Sequence, residues 1–221
     1  MTDLGKYLPL SQRKPGDESH VTSDWSQPLA DTLMSIAALV DRMDDAALES
    51  PTGRDGYRVR DAIGHTLWRL TTSAAERRRP LVRAALSTRT SVAAVTREAS
   101  MRAGMGSRPE LAAALRALSA TIDMSAHRTR VEDLSVGVVD GYDIAHTVGL
   151  GVVVDPIAAG AVALARSLSA PTEVRAVLRR RKLEAVDGEW SVGAGQSWQA
   201  AAAGIILFLW SRAGMPENLG D

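Results

Sequence analysis

Four histidines, 26 acidic side chains and no cysteine set the chemistry open to this chain of 221 residues. Without a thiol there is no disulfide framework, zinc–thiolate site or cysteine nucleophile, and a cytoplasmic location is expected. No Gly-rich phosphate loop, nucleophile elbow or His-Glu-x-x-His element occurs, which argues against nucleotide binding, serine hydrolysis and zincin chemistry. Two stretches concentrate reactive side chains: Pro51-Thr-Gly-Arg-Asp-Gly-Tyr-Arg-Val-Arg-Asp-Ala-Ile-Gly-His65, and Asp140-Gly-Tyr-Asp-Ile-Ala-His-Thr-Val-Gly149. His20 and His127 have no ligand-spaced company. At about 100° per residue, Asp140 and Asp143 lie roughly 60° apart on one helix face, while His146 is about 120° round from Asp140 and points elsewhere. The plainer readings are a histidine hydrogen-bonded inside a bundle and an Arg-paired or exposed carboxylate. Asp61, four residues before His65, could orient that ring, but closing the start of its own helix is the favoured role.

These groups must be positioned by helices. Ala, Arg and Leu dominate and aromatics are 4% of residues, which favours helices over a β-sandwich or barrel. Apolar residues recur at three- and four-residue steps from about Gln27 to Asp45, through Leu29, Leu33, Ile36 and Val40. A turn-rich loop over 49–56 precedes a second helix from near Arg58 to Arg78, with Pro80 beyond it. Further helices are predicted for Leu81–Met105, bent around Ser91, for Glu110–Ser125, for Arg130–Val148 and for Pro156–Leu168 behind an Asp155 cap. A short basic helix over Glu173–Arg180 follows. Lys182–Val186 and Glu189–Val192 then flank Asp187-Gly188 as a tight hairpin, and Gln199–Arg212 returns to helix. The fold class is therefore mainly α: a helical bundle over 26–170, a small C-terminal α+β appendage over 171–221, and an N-terminal arm over 1–25.

In order and spacing, the two reactive stretches and the Leu183–Trp190 hairpin with its Gly193–Trp210 continuation resemble the mycothiol-dependent maleylpyruvate isomerase family. The resemblance spans roughly Gln27 to Arg212. It implies a DinB-like four-helix bundle with extra helices, holding one divalent metal near its mouth. It also implies a low-molecular-weight thiol such as mycothiol, activated by that metal for isomerisation of, or S-transfer onto, a small electrophile. A Lewis-acidic cation lowers the pKa of a bound thiol or water, giving a nucleophile without any protein cysteine. Carried over position by position, the family's first ligand falls on His65 and the others on Val136 and Asp140. Valine cannot bind a metal. A His65–Asp140–Asp143 set would be more oxygen-rich than the family's, shifting preference from a zinc-like ion toward manganese.

Two functions follow, from different classes: a metal- and mycothiol-dependent isomerase or transferase, supported by His65, and a small-ligand-binding or regulatory module without metal, supported by Val136. Acidic and basic side chains balance at 26 each, so no net field gathers nucleic acid or an anionic membrane. The longest apolar run, Ala200–Trp210, is about half the roughly 20 residues a spanning helix needs. The expected partner is a small-molecule substrate or thiol, in a monomer or homodimer. The basic clusters at Arg77–Arg79 and at Arg175 with Arg179–Lys182 read as a helix C-terminus and a solvated face, the second also able to take an anion. Trp68, Tyr142 and Trp210 read as core or cleft packing.

Overall fold

Each amphipathic stripe in the sequence becomes a helix of a computed structural model that describes residues 24–73, 75–77, 82, 91–125 and 128–220. In chain order these are α1 (Ser26–Arg42), α2 (Val59–Thr71), α3 (Val92–Ala103), α4 (Arg108–Asp123), α5 (Val131–Val148), α6 (Pro156–Ser169) and the short α7 (Thr172–Leu178). Next come β1 (Arg181–Ala185), β2 (Ser191–Gly193), β3 (Gln196–Ala200) and α8 (Ala202–Leu209). The architecture is mainly helical with a small three-stranded sheet near the C-terminus. No helix of the described residues is long and apolar enough to cross a membrane. The expected N-terminal arm lies outside the described residues, Trp25 and its neighbour apart.

The bundle forms where stripes of one helix meet those of another. α1 packs against α4 and α5, α2 against α3, α4 and α5, and α6 joins α5 to the C-terminal unit. Leu29, Leu33, Ile36 and Val40 of α1 are buried together with Ile63, Leu115, Leu134, Val138 and Ile144. Each such side chain stabilises the fold by roughly 1.5–3 kcal/mol relative to exposure. Helix starts follow local capping chemistry. Asp61 accepts the Arg58 backbone N–H at 3.0 Å, the capping role favoured for it. Ser91 accepts from the Ala94 N–H and Asp155 from the Ala158 N–H. Gly149, at φ +67°, ends α5 in the left-handed conformation that glycine adopts without strain.

Two boundaries differ from the sequence reading, each for a local reason. α2 stops at Thr71 because Thr72 turns extended (ψ 127°), and the Arg77 guanidinium binds the Arg69 and Thr72 carbonyls beyond it. Arg78 and Arg79 lie outside the described residues. At Ser91 a capping serine opens α3, the second half of the region expected over Leu81–Met105; its first half, Val82 apart, lies outside the described residues. The hairpin is present, with Leu183 opposite Val192, but Gln196–Ala200 is a third strand, parallel to β1, rather than the approach to a helix. Gly193 and Gly195, at φ +90° and +103°, turn the chain across the sheet so that the order is β2–β1–β3.

α2 and α3 cross with backbones nearly touching. A Cβ at Gly64 would collide with the Ser100 carbonyl oxygen and lie 2.5 Å from the Gly104 nitrogen. Gly64→Ala should therefore destabilise the protein by about 1–3 kcal/mol, the range for overpacking a filled site. Urea unfolding would measure it, and an unchanged midpoint would contradict the close crossing.

Candidate functional site

α2 and α5 bring the two reactive stretches face to face. α5 carries Gly137 and Gly141 on the side that meets α1, where a Cβ would stand 2.6 Å from Leu29 Cδ1 and 3.0 Å from Ile36 Cδ1. Their missing side chains let α5 sink into the bundle, and Asp140 and Asp143 sink with it, to 2% and 1% exposure. Carboxylates so deep must be compensated. Asp140 Oδ2 meets His65 Nδ1 at 2.5 Å and accepts the Thr66 hydroxyl at 3.0 Å, both from α2. Burial opposes ionisation of Asp140, but His65, its hydrogen bond, and the Arg54 and Arg212 guanidiniums outweigh it and hold the carboxyl below its usual range.

Asp143 serves the loop between the helices. Its Oδ1 accepts the Gly53 N–H at 2.8 Å, and its Oδ2 has no hydrogen-bond partner, with Arg212 Nε 3.9 Å away. Gly53 is a glycine of necessity, since a Cβ there would strike the Arg212 carbonyl oxygen. The segment 51–58 closes on itself through the Pro51–Arg58 bridge and the Thr52 N–H to Tyr57 carbonyl bond of 2.9 Å. Arg54 is thereby delivered over the Tyr57 ring, its guanidinium carbon 4.1 Å from the centroid. Tyr57 in turn stands edge-on to His65, with centroids 6.3 Å apart. Burial raises the Asp143 carboxyl, against the Gly53 N–H and Arg212, which lower it. For Arg212, burial weakens the guanidinium's hold on its proton, and Asp140 strengthens it.

Above this pair opens a hollow of about 440 Å³. Four guanidiniums line it, from Arg54, Arg69, Arg166 and Arg212, against two carboxylates, Asp140 and Glu132. His65 lines it too, and with Nδ1 engaged by Asp140 the ring presents Nε2 as its other polar atom. Val136 and Trp210 form apolar wall. Arg166 stacks 5.3 Å over Trp210 and donates from Nε to the Leu209 carbonyl at 3.0 Å. Two of the lining cations have buried atoms without a hydrogen bond, Arg54 Nη1 and Arg212 Nε, the second with only the distant Asp143 carboxylate beside it. Buried donors in that state favour an anionic guest.

The residues present do not fit the divalent metal that the resemblance implies. Two ligands of one zinc-like ion at about 2.1 Å each stand roughly 3 Å or more apart. His65 and Asp140 instead touch directly. Asp143 is taken up by Gly53, and the third carried-over position, Val136, is hydrocarbon. Among the described residues no three of His, Cys, Asp or Glu are grouped to hold a metal ion. The structure thus brings His65 and Asp140 together and sets Asp143 beside them without making one donor set of the three. His146 is exposed, away from the pair, as its helical angle implies.

The guanidiniums are what sequence reading missed. The basic cluster it singled out, at Arg175 and Arg179–Lys182, is largely exposed, the solvated face expected of it; Arg181 covers Trp198 at 5.1 Å. Arg54 sits inside the first reactive stretch and could have been suspected. Arg69, Arg166 and Arg212 come from three separate elements, with no local pattern to mark them.

Asp140 gives this site a pH signature. Its folded carboxyl titrates below the unfolded value of about 3.9, so its stabilisation is present above that pH and lost as pH falls through the folded value. Wild-type stability should drop with acid below about pH 4, and Asp140→Asn should show a shallower drop there. Denaturant midpoints measured across that range would read it, and parallel curves would contradict a charged Asp140.

No protein-family model matches the chain, and no curated protein does. Among solved structures it is similar to "Crystal structure of the mycothiol-dependent maleylpyruvate isomerase", with 12% identity over 90% of this chain and 92% of that one, at a TM-score of 0.49.

Proposed function

We propose that the hollow binds a small organic anion, and that His65, oriented by Asp140, exchanges a proton with it without a metal. The observation that carries this is the His65–Asp140 contact at the foot of a four-guanidinium pocket. An ionised Asp140 keeps a proton on Nδ1, whichever charge the ring carries, and leaves Nε2 as the atom that gives or takes one. The guanidiniums supply the fixed positive charge that a carboxylate or developing enolate needs, each charge-assisted hydrogen bond contributing roughly 1.5–3 kcal/mol. Where the resemblance implies mycothiol or another low-molecular-weight thiol, His65 would be the group that accepts its proton, in the role the family gives to its metal. Isomerisation or S-transfer on a small electrophile is then the reaction class.

A second reading, a binding or regulatory module without catalysis, is favoured by Val136, which puts a methyl-bearing wall where a ligating side chain would stand. Both readings share the anion site.

Calorimetric titration with succinate and acetate, beside elemental analysis of protein purified without chelators, tests that site. Succinate should bind, and Arg212→Met should weaken it by about tenfold or more, about 1.4 kcal/mol. Arg69→Gln, at a half-buried position of α2, should weaken it in the same direction. Equal affinities in all three proteins, or one tightly held zinc or manganese per chain, would overturn the proposal.

A further inference from the structure

A second hollow, of about 920 Å³, opens where α5 ends, between the loop 149–154, α8 and the tail 213–219. Tyr142, Ala145, His146 and Gly149 of α5 line it, spaced at three- and four-residue steps. Tyr142 stands about 200° round that helix from Asp140, so the hollow lies behind α5 as seen from the guanidinium pocket. The two hollows share no lining residue.

Both walls are tied down. On one side Arg42 Nη2 donates to the Gly151 carbonyl and the Val153 N–H to the Ser35 hydroxyl, each at 2.7 Å. On the other, Ser211 takes φ +56°, uncommon for a residue with a side chain, and turns the tail back after α8. Trp198 Nε1 then holds the Pro216 carbonyl at 3.0 Å, and the Leu219 N–H holds the Gln199 carbonyl at 2.8 Å. Leu150, Val152, Val154, Leu207 and Met215 give the hollow apolar walls. A preformed space of this size, mostly apolar with few polar groups, suits a small organic molecule.

Its polar groups say which kind. The charged lining residues are Asp187 and Glu217, with no Lys or Arg, the reverse of the guanidinium pocket. Asp187 is fixed in place, its Oδ1 accepting the Ala202 N–H at 2.7 Å where α8 begins. Tyr142 is 8% exposed, and its hydroxyl makes no hydrogen bond among the described residues. Burial and the Asp187 carboxylate both push that hydroxyl up, so it stays protonated and close to Asp187 in effect. A phenol in that position can turn its proton to the carboxylate and offer its oxygen to a donor.

We infer that this hollow binds an organic amine in its ammonium form, the apolar body between the 149–154 loop and α8 and the charged head at Tyr142 and Asp187. An ammonium has only donors, which matches a carboxylate beside a free phenol oxygen, and Glu217 adds to the negative field. The site is separate from the anion pocket, so the inference stands apart from the function proposed above.

Calorimetric titration of the full chain at about pH 8, where an alkylamine is charged, tests it with phenethylamine and the uncharged phenethyl alcohol. The amine should bind about tenfold or more tighter than the alcohol. Asp187→Asn with Glu217→Gln should bring the amine down to the alcohol's affinity and leave the alcohol unchanged. Tyr142→Phe, which alters this hollow and neither the guanidinium pocket nor the 186–191 turn, should weaken the amine about threefold or more. Neither change takes a hydrogen bond from the fold: the Asn oxygen still accepts the Ala202 N–H, and the Tyr142 hydroxyl has none to lose. Amine and alcohol binding alike in the wild type, no binding of either, or an amine affinity unchanged in either altered protein would overturn the inference.

Discussion

A carboxylate at 2% exposure inside a helical bundle governs this structure. Taking the Asp140 charge out of water costs several kcal/mol even after relaxation, and removing one partner of such a buried pair is commonly worth 3–5 kcal/mol. The surrounding sequence reads as the answer to that demand. His65 and Thr66 come from α2, Arg54 from the loop that precedes it, and Arg212 from the far end of the chain, after α8. Three separate segments are committed to one oxygen pair. A cluster that compensates a charge this way is also one that holds an imidazole in a fixed orientation.

Asp143 couples the rest of the fold to that cluster. By accepting the Gly53 N–H, it fixes the loop that carries Arg54, and the closeness of Gly53 to Arg212 draws the C-terminal unit over the bundle. The two aspartates, one helical turn apart, thus divide the work: one faces the imidazole and the other anchors the backbone that brings positive charge. Their ionisation leans in opposite directions for the same reason. Both are desolvated, but Asp140 has more compensating partners than Asp143. The result is a hollow whose cation is built from arginine side chains.

Much of this was legible in residue order. The 3.6-residue stripes placed the bundle helices, Asp61 declared its cap, and Asp187-Gly188 marked where the hairpin turns, although the strands part at Ala185 and Ser191 and Gly188 does not take the positive φ of a two-residue turn. Reading β3 from Gln196–Ala200 was beyond reach: five residues of mixed polarity become a strand only because β1 offers a free edge and two positive-φ glycines turn the chain toward it. At the site, the sequence brought His65 and Asp140 to one region. It could not distinguish an imidazole and acid bridged by a cation from the same groups in contact, because that difference is about an ångström in how closely two helices pack. Nor could it find Arg69, Arg166 and Arg212, which share a wall only after three elements have folded around it.

The whole account turns on which ring nitrogen of His65 carries a proton, since a direct bond to an ionised Asp140 permits one arrangement and metal ligation through a bridged pair permits another. Nitrogen-15 NMR of the His65 imidazole, assigned by its disappearance in His65→Gln, reads this directly. The account requires the neutral ring to carry its proton on Nδ1, with Nε2 bare. A neutral ring protonated at Nε2 with Nδ1 bare, or a nitrogen shift showing that either position is bound to a metal, would contradict it.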